Sequence, residues 1–301
     1  SRELRWLLRR ADLAMYEAKS AGRNRCVEFD ERMEVELGKR SALETEIRHG
    51  ILAGEFIPHF QPIVELASGE VKGFEALARW QHPAKGLVAP ADFLEVAETS
   101  GLIGEISMSV MQQALEAARS WPANLTIAVN LSAVQFKDPM LAQRLLRILT
   151  VTGFPARRLA LEIPESCLIG GREHALGNIQ RLQAQGIHIV IADFGTGYAS
   201  PTHLQALPFD RIKIDHSFVR LLESDEQGDA LVQAIATLGK GLSIPLSAEG
   251  IETAAIQSKL KALGCADAQG WLFAKALSPE QVDQMYPDDD CVQDQPVAKA
   301  K

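Results

Sequence analysis

Residues 56–80 have the sequence FIPHFQPIVELASGEVKGFEALARW, which contains two β-rich runs at 56–66 and 71–80. Runs of this length and composition are typical of strands. The segment between them, Ala67 to Glu70, is too short for the crossover that two parallel strands require. The sequence therefore predicts that these two strands are antiparallel.

Further along the chain, similar runs alternate with helical patterns. Strands are predicted at 125–132, 159–166, 188–195, 211–215, 244–250 and 266–273, and helices at 104–119, 138–149, 173–185, 226–240 and 253–263. Strands separated by helices imply a mostly parallel sheet, and about eight of them imply a closed barrel. The predicted fold class is therefore α/β, a modified TIM (β/α)8 barrel with one antiparallel strand.

Composition limits the possible functions. The 301 residues carry a formal net charge of −8, which argues against a protein that coats DNA or RNA polymers through a broad basic surface. A small anionic ligand remains possible, because metal ions and a few basic side chains can reverse the charge locally. The four scattered cysteines are expected to be free thiols, and no apolar run is long enough to span a bilayer. We expect a cytoplasmic location, although the parent protein could carry a membrane anchor upstream of Ser1.

Polar residues recur at corresponding places in the predicted strands, mostly at the carboxyl ends. They are Glu75, Asn130, Glu162, Glu165, Asp193, Lys213, Asp215, Glu249 and Gln269. A single acidic residue at a strand end is usually a helix cap or a solvated loop residue. Seven strands that all contribute favour a site at the mouth of the barrel, where the strand ends converge.

The residue types in this set indicate the chemistry. Oxygen ligands without His or Cys suit hard cations such as Mg²⁺ or Mn²⁺. Carboxylates with an Asn and a Lys suit metal-assisted hydrolysis of a phosphodiester. At a spacing of two along a strand, Glu75, Leu77 and Arg79 share one face, which places a carboxylate, an apolar shelf and a phosphate-binding guanidinium in one row.

A series of motifs occurs in order over about residues 40–283. The motifs are Gln61-Pro62-Ile63, Glu75-Ala76-Leu77-Ala78-Arg79, Pro90-Ala91-Asp92-Phe93, Gly101-Leu102-Ile103, Val129-Asn130-Leu131-Ser132, Gln135-Phe136, Leu161-Glu162-Ile163, Asp193-Phe194-Gly195-Thr196-Gly197-Tyr198, Lys213-Ile214-Asp215, Ala248-Glu249-Gly250-Ile251-Glu252 and Gln269-Gly270-Trp271. This series resembles the EAL family of cyclic-di-GMP phosphodiesterases. Family members hydrolyse cyclic-di-GMP to linear pGpG, and the resemblance implies the same substrate, Mg²⁺ or Mn²⁺, and a homodimer.

The resemblance also implies roles for individual residues. Those that match metal ligands are Glu75, Asn130, Glu162, Asp193 and Glu249. Glu249 matches the proposed general base, and Lys213 the lysine near the attacking water. Those that match substrate-side positions are Gln61, Leu77, Arg79, Asp215, Glu252 and Gln269. Glu165 and the loop 195–200 match the segment that organises the site and the dimer contact.

The first 30 residues resemble the end of a GGDEF diguanylate cyclase domain, through Ala11-Asp12-Leu13-Ala14-Met15-Tyr16 and Gly22-Arg23-Asn24-Arg25. The cyclase catalytic motif is absent from this chain. The expected organisation is a GGDEF-like remnant at 1–30, a linker helix at 31–50, the barrel at 51–285 and a disordered tail at 286–301. Sensor domains are expected upstream.

One position departs from the family pattern. Active members carry two aspartates before Phe-Gly-Thr-Gly, whereas this chain has Ala192-Asp193. The first aspartate is a metal ligand in the family. We expect strict strand alternation to point Asp193 away from the vacated position, so that activity is impaired. Ala192 has two possible origins. It could have arisen naturally in a degenerate domain that acts as a cyclic-di-GMP receptor, or it could be a deliberate Asp-to-Ala change that traps substrate. A hydrolase for an unrelated phosphoester is a weaker third possibility.

Overall fold

The computed structural model describes residues 2–20, 24–168, 172–195, 208–222 and 226–286. Within these ranges, nine strands form one sheet. They are β1 (Phe56–Glu65), β2 (Val71–His82), β3 (Gly86–Val88), β4 (Thr126–Asn130), β5 (Leu159–Pro164), β6 (His188–Phe194), β7 (Arg211–Ile214), β8 (Leu246–Ala248) and β9 (Asp267–Ala268). A search of the same residues finds no helix with the length and apolar character of a membrane span.

The sheet closes into a barrel of eight strands, in the order β1-β2-β4-β5-β6-β7-β8-β9, and β9 returns to β1. Strand β1 is antiparallel to both of its neighbours, and the remaining contacts around the barrel are parallel. Strand β3 lies outside the barrel on the extended end of β2. The prediction of a barrel with one reversed strand is confirmed.

Helices connect the strands and cover the barrel. They are α1 (Arg2–Ser20), α2 (Glu31–Ala53), α3 (Leu94–Thr99), α4 (Ile103–Ala117), α5 (Ala133–Phe136), α6 (Leu141–Thr152), α7 (Arg172–Gln183), α8 (His216–Leu221), α9 (Glu226–Leu242), α10 (Ala254–Leu263) and α11 (Pro279–Met285). The core lies between these helices and the outer face of the barrel. A second apolar cluster joins Ile47 of α2 to Phe56, Trp80 and Phe93. The predicted linker helix therefore packs against the barrel through its last turns.

The eighth predicted strand, 266–273, is much shorter in the structure. It ends at Ala268, and the amides of Phe273 and Ala274 then donate to the carbonyl of Gly270. A Cβ at Gly270 would lie 2.1 Å from the carbonyl oxygen of Ile251, so the two backbones approach closely there. This turn lies beside the loop that follows β8. The predicted disordered tail lies, apart from Tyr286, outside the described residues.

Candidate active site

A buried lysine joins acidic side chains from three other strands at the mouth of the barrel. Lys213 of β7 donates to Glu75 of β2 at 2.8 Å and to Glu162 of β5 at 2.7 Å. Its Nζ also lies 3.2 Å from Oε2 of Glu249, just beyond β8. The side chains of Lys213, Glu75 and Glu162 are at most 5% exposed, and that of Glu249 is 23% exposed. One ammonium group thus contacts three acidic side chains.

Burial and the shared lysine give the two buried carboxyl groups, Glu75 and Glu162, different pKa values. Desolvation and the charge of Glu75 together outweigh the effect of Lys213 and raise the pKa of Glu162 to about 8. Desolvation also acts on Glu75, but the charge of Lys213 and donated hydrogen bonds outweigh it, and the pKa of Glu75 is lowered. The surrounding carboxylates overcome desolvation at Lys213 and hold its pKa well above its usual value. Without metal, the favoured state has Lys213 charged, Glu75 ionised and Glu162 protonated.

Two amide side chains hold Glu75 in position. Asn130 Nδ2, at the end of β4, donates to Glu75 Oε1 at 2.5 Å. The buried Gln269, just after β9, donates to Glu75 Oε2. The pairing register explains the convergence, because β4 runs beside β2 only from Gly73 to Ala76 and thus brings its end close to Glu75. Gln269, predicted as a substrate-side residue, contacts Glu75 directly.

Glu249 belongs to a second group of polar side chains, on the rim of the mouth. Its Oε1 accepts from the amide of His216 at 3.4 Å. Asp215 caps α8, since its Oδ1 accepts from the amide of Ser217 at 2.9 Å. Its Oδ2 lies 3.1 Å from Nδ1 of the His216 ring. Asp215, predicted on the substrate side, is therefore a helix cap that also belongs to this group.

Strand β6 is irregular at the position where the family pattern is broken. Its pairing with β7 shifts between Ile191 and Phe194, and Asp193 has a φ of 53°. Ala192 and Asp193 both border one groove. The expectation that Asp193 cannot take the place of the missing aspartate stays a prediction. Desolvation, followed by the charges of Glu249 and Asp215, raises the pKa of Asp193, which indicates that Asp193 lies in the same acidic field.

The groove beside the carboxylates has a volume of about 480 Å³. It runs between β2, helices α3 to α5 and the bulge in β6. Leu77, Ile103 and Pro164 supply apolar walls, and Asn130 and Asp193 supply polar ones. The predicted apolar shelf at Leu77 therefore faces a cleft that adjoins the acidic cluster. Its mixed lining suits a ligand with flat apolar faces and charged or polar edges.

The other predicted substrate-side residues are distributed around this centre. Gln61 is paired with Glu75 across β1 and β2, but its Nε2 donates to the carbonyl of Ala274 at 3.3 Å. Arg79 is half-buried and donates to the carbonyl of Ala78 at 2.8 Å. Burial lowers its pKa, and the charge of Glu75 acts in the opposite direction. Glu252 is exposed in the loop beyond β8.

Glu165 contacts the start of the loop that the resemblance assigns to it. The buried Glu165 accepts from the amide of Gly195 at 2.8 Å. Gly195 has a φ of 104°, and a Cβ there would lie 2.8 Å from the ring of Phe218. Residues 196–200 of this loop lie outside the described residues. The predicted dimer contact of this segment therefore stays a prediction.

His216 is the member of the constellation that the sequence analysis missed. It directly follows the Lys213-Ile214-Asp215 motif and lies against two predicted site residues. A single histidine at the start of a helix carries no spacing signal, because its partner Glu249 is 33 positions away. Only a rule that examines both neighbours of every candidate ligand would have found it.

The donor set at the mouth fits the divalent cations predicted from the sequence. Glu75, Asn130, Glu162, Asp193 and Glu249 offer carboxylate or amide oxygens, which Mg²⁺ and Mn²⁺ prefer. Desolvation is the main cause of the raised pKa of Glu162 and Asp193, and neighbouring carboxylates add to it, so acidic groups are crowded there. A cation would relieve this crowding, so the residues present suit such an ion.

Comparison with known proteins identifies the family. The family model described as "EAL domain" matches residues 44–276. The chain belongs to the EAL domain family. Its closed barrel of eight strands with covering helices matches solved EAL structures, and β3 is an extra strand outside the barrel.

Among curated EAL relatives are two named as phosphodiesterases. The bifunctional diguanylate cyclase/cyclic di-GMP phosphodiesterase MucR of Pseudomonas aeruginosa is 38% identical over 280 residues, which are 92% of this chain and 41% of the relative. The cyclic di-GMP phosphodiesterase PdeR of Escherichia coli is 35% identical over 283 residues, which are 93% of this chain and 43% of the relative. This chain is therefore homologous to cyclic-di-GMP phosphodiesterases.

Solved EAL structures agree with the fold. The MucR phosphodiesterase in complex with c-di-GMP has a TM-score of 0.77 and 38% identity, and the match covers 80% of this chain and 99% of that one. The EAL enzyme Bd1971, bound to cAMP and cyclic-di-GMP, has a TM-score of 0.80 and 28% identity. This match covers 93% of this chain and 74% of that one. The chain spans only 33–46% of the length of eight curated relatives.

Proposed function

We propose that this EAL domain binds cyclic-di-GMP and, in the parent protein, hydrolyses it to linear pGpG by metal-assisted cleavage, with activity impaired by Ala192. One observation carries the proposal. Lys213 contacts Glu75 of β2, Glu162 of β5 and Glu249 just after β8, beside an open groove. The names of the homologous phosphodiesterases and of the c-di-GMP complex of MucR support the choice of substrate.

The groove gives the substrate its place in this proposal. A nucleobase would lie against Leu77 and the apolar wall. The adjoining phosphate of the nucleotide would then lie at the part of the groove lined by Asn130 and Asp193. Arg79 is half-buried on the same strand face as Glu75 and would turn its guanidinium to a phosphate oxygen. Gln61, Glu252 and Gln269 remain proposed contacts on the substrate side.

The acidic cluster gives the reaction its proton acceptor. Glu249 is half-buried, and its Oε2 is held by Lys213 while its Oε1 faces the rim. In this proposal an attacking water transfers a proton to the Glu249 carboxylate, and the contact with Lys213 fixes its orientation. Bound divalent ions, Mg²⁺ or Mn²⁺, would neutralise phosphate charge and lower the pKa of water. Glu75, Asn130, Glu162, Asp193 and Glu249 would hold them.

The test is to mix the chain with cyclic-di-GMP and Mg²⁺ or Mn²⁺, and to measure binding by calorimetry and pGpG by chromatography. We expect binding with slow turnover, and at least about 10–100-fold faster turnover after Ala192→Asp, because a metal ligand is restored. Ala133→Asp is the matched control, since it adds a carboxylate to the same groove on α5. Absence of binding by every variant would contradict the proposal.

The second candidate is a receptor that binds cyclic-di-GMP without hydrolysis. The Ala192 side chain favours it, because the methyl group in the groove cannot ligate an ion. Equal turnover before and after Ala192→Asp, together with tight binding, would favour the receptor. A clear gain in turnover would favour the phosphodiesterase.

We further propose a cytoplasmic homodimer preceded in the parent protein by GGDEF-like and sensor domains. The GGDEF-like motifs in α1 and the bifunctional name of MucR support the upstream cyclase domain. Residues 1–30 would be its remnant, 31–50 a linker helix and 51–285 the EAL barrel. Light scattering of the purified chain tests the dimer, and a monomer at all concentrations would contradict it.

A further inference from the structure

The inner face of β1 places a histidine beside the proposed substrate contacts. Burial alternates along this strand, and Ile63 and Glu65 line the interior of the barrel. His59 and Gln61 have the same parity as these two residues, so their side chains point to the same face. Because β1 runs antiparallel to its neighbours, its first residues lie at the mouth. His59 is therefore a half-buried residue of the mouth, further out than Gln61.

The register between β1 and β2 determines the neighbours of this histidine. His59 is directly opposite Leu77, and Ile57 is opposite Arg79, so Arg79 is the diagonal neighbour of His59. Diagonal neighbours on one face are about 7–8 Å apart, which is within reach of a long side chain. The imidazole and the guanidinium therefore belong to the same part of the mouth, next to the apolar shelf at Leu77.

The groups around the imidazole come from three elements. Burial, followed by the charge of Arg79 on β2, lowers the pKa of His59. A hydrogen bond to the backbone of Ala276, between β9 and α11, and the charge of the exposed Glu280 on α11 act in the opposite direction. Lys275, beside Ala276, lies over a tryptophan ring instead, 5.3 Å from its centroid. In the free domain at pH 7 the ring of His59 is therefore mainly neutral.

The hydrogen-bonding capacity of the ring decides what it can bind. A neutral imidazole has one N–H, and the carbonyl of Ala276 takes up that donor. The second ring nitrogen is then an acceptor, which cannot bond to a phosphate oxygen. Protonation turns it into a charged donor, and a phosphate bound by Arg79 would favour that proton because it cancels the repulsion by the guanidinium.

We propose that His59 binds a phosphate group of the nucleotide together with Arg79, and that binding takes up a proton from solution onto the His59 ring. This inference rests on the proposed function, because cyclic-di-GMP is the ligand that supplies the phosphate. Affinity is then highest at low pH and falls as pH rises, by up to about tenfold per pH unit for one proton.

The experiment is calorimetry of cyclic-di-GMP binding to the purified chain at fixed Mg²⁺ concentration between pH 6 and pH 8. Each titration is repeated in two buffers with different enthalpies of ionisation, and the difference gives the number of protons taken up. The variant is His59→Gln, which keeps a donor for the carbonyl of Ala276 but cannot be protonated. The matched control is His188→Gln, because His188 is a half-exposed histidine at the start of β6, at the opposite end of the barrel.

We expect the wild type and His188→Gln to take up more protons than His59→Gln, by about half to one proton per bound nucleotide near pH 7. Their affinity should also fall more steeply with pH than that of His59→Gln. Equal proton uptake by the wild type and His59→Gln, with binding intact in both, would overturn the role of His59 and leave the proposed function standing. Weaker binding by His59→Gln at every pH with unchanged proton uptake would show a purely structural role and would overturn it as well. A wild type that does not bind the nucleotide would contradict the proposed function itself.

Discussion

Glu162→Gln should make the metal-free domain less sensitive to pH. Glu162 carries a proton in the folded state, because burial and Glu75 raise its pKa from 4.5 to about 8. In the unfolded chain the carboxyl group ionises near its ordinary pKa. Between these values the folded state binds one more proton than the unfolded state, so the free energy of unfolding must fall as pH rises. Glutamine mimics the protonated side chain and removes this dependence.

The magnitude follows from the two pKa values. Their separation corresponds to about 5 kcal/mol at about 1.4 kcal/mol per pH unit. The free energy of unfolding loses this full amount only above the pKa of the folded state. Between pH 5 and pH 7 it falls by about 2–3 kcal/mol. The difference in unfolding free energy between Glu162→Gln and wild type should therefore shift by about 2–3 kcal/mol in favour of the variant over that interval. A Gln Oε1 can still accept from Lys213, so the variant should fold.

The assay is urea denaturation of both proteins with a chelator at pH 5, 6 and 7. Titrating groups remote from this cluster contribute equally to both curves and cancel in the difference. A second arm adds Mn²⁺, which must displace the proton and should stabilise the wild type more at pH 7 than at pH 5. Parallel curves for the two proteins in the chelator would show that Glu162 is ionised throughout, and would refute the argument.

Three other expectations follow from the same structure. Arg79→Ala should weaken cyclic-di-GMP binding at least severalfold with a melting temperature within a few degrees of wild type, and unchanged affinity in calorimetry would mean that Arg79 is only a surface charge. In an Ala192→Asp background, Glu249→Gln should abolish turnover and spare nucleotide binding, because an amide cannot accept the proton; turnover within a few-fold of the parent would place the base elsewhere. Burial raises the pKa of the Cys167 thiol to about 12. At pH 8, iodoacetamide should therefore label the exposed Cys26 and leave Cys167 unmodified. Equal labelling of the two cysteines in peptide mass spectrometry would contradict this burial.

The sequence by itself determined the barrel and the reversal of one strand. A short connection at Ala67 to Glu70 allows only an antiparallel pair, and alternating strand and helix patterns require crossovers. Both signals are local, so they can be recognised without knowledge of the contacts between distant segments. The same order of elements placed Glu75, Glu162, Lys213 and Glu249 near one mouth, because the carboxyl ends of barrel strands converge.

Only the tertiary structure decided which of these residues touch and what charge each carries. Lys213 contacts Glu75 and Glu162 from positions 138 and 51 residues away, and the protonation of Glu162 follows from burial that no local pattern encodes. The irregular pairing of β6 with β7 and the positive φ of Asp193 likewise arise only in the folded chain. His216 joins Glu249 only because Gly250 leaves room for it. Local periodicity specifies elements, whereas register, bulges and desolvation arise from packing between segments far apart in the chain, and these determine the chemistry of the site.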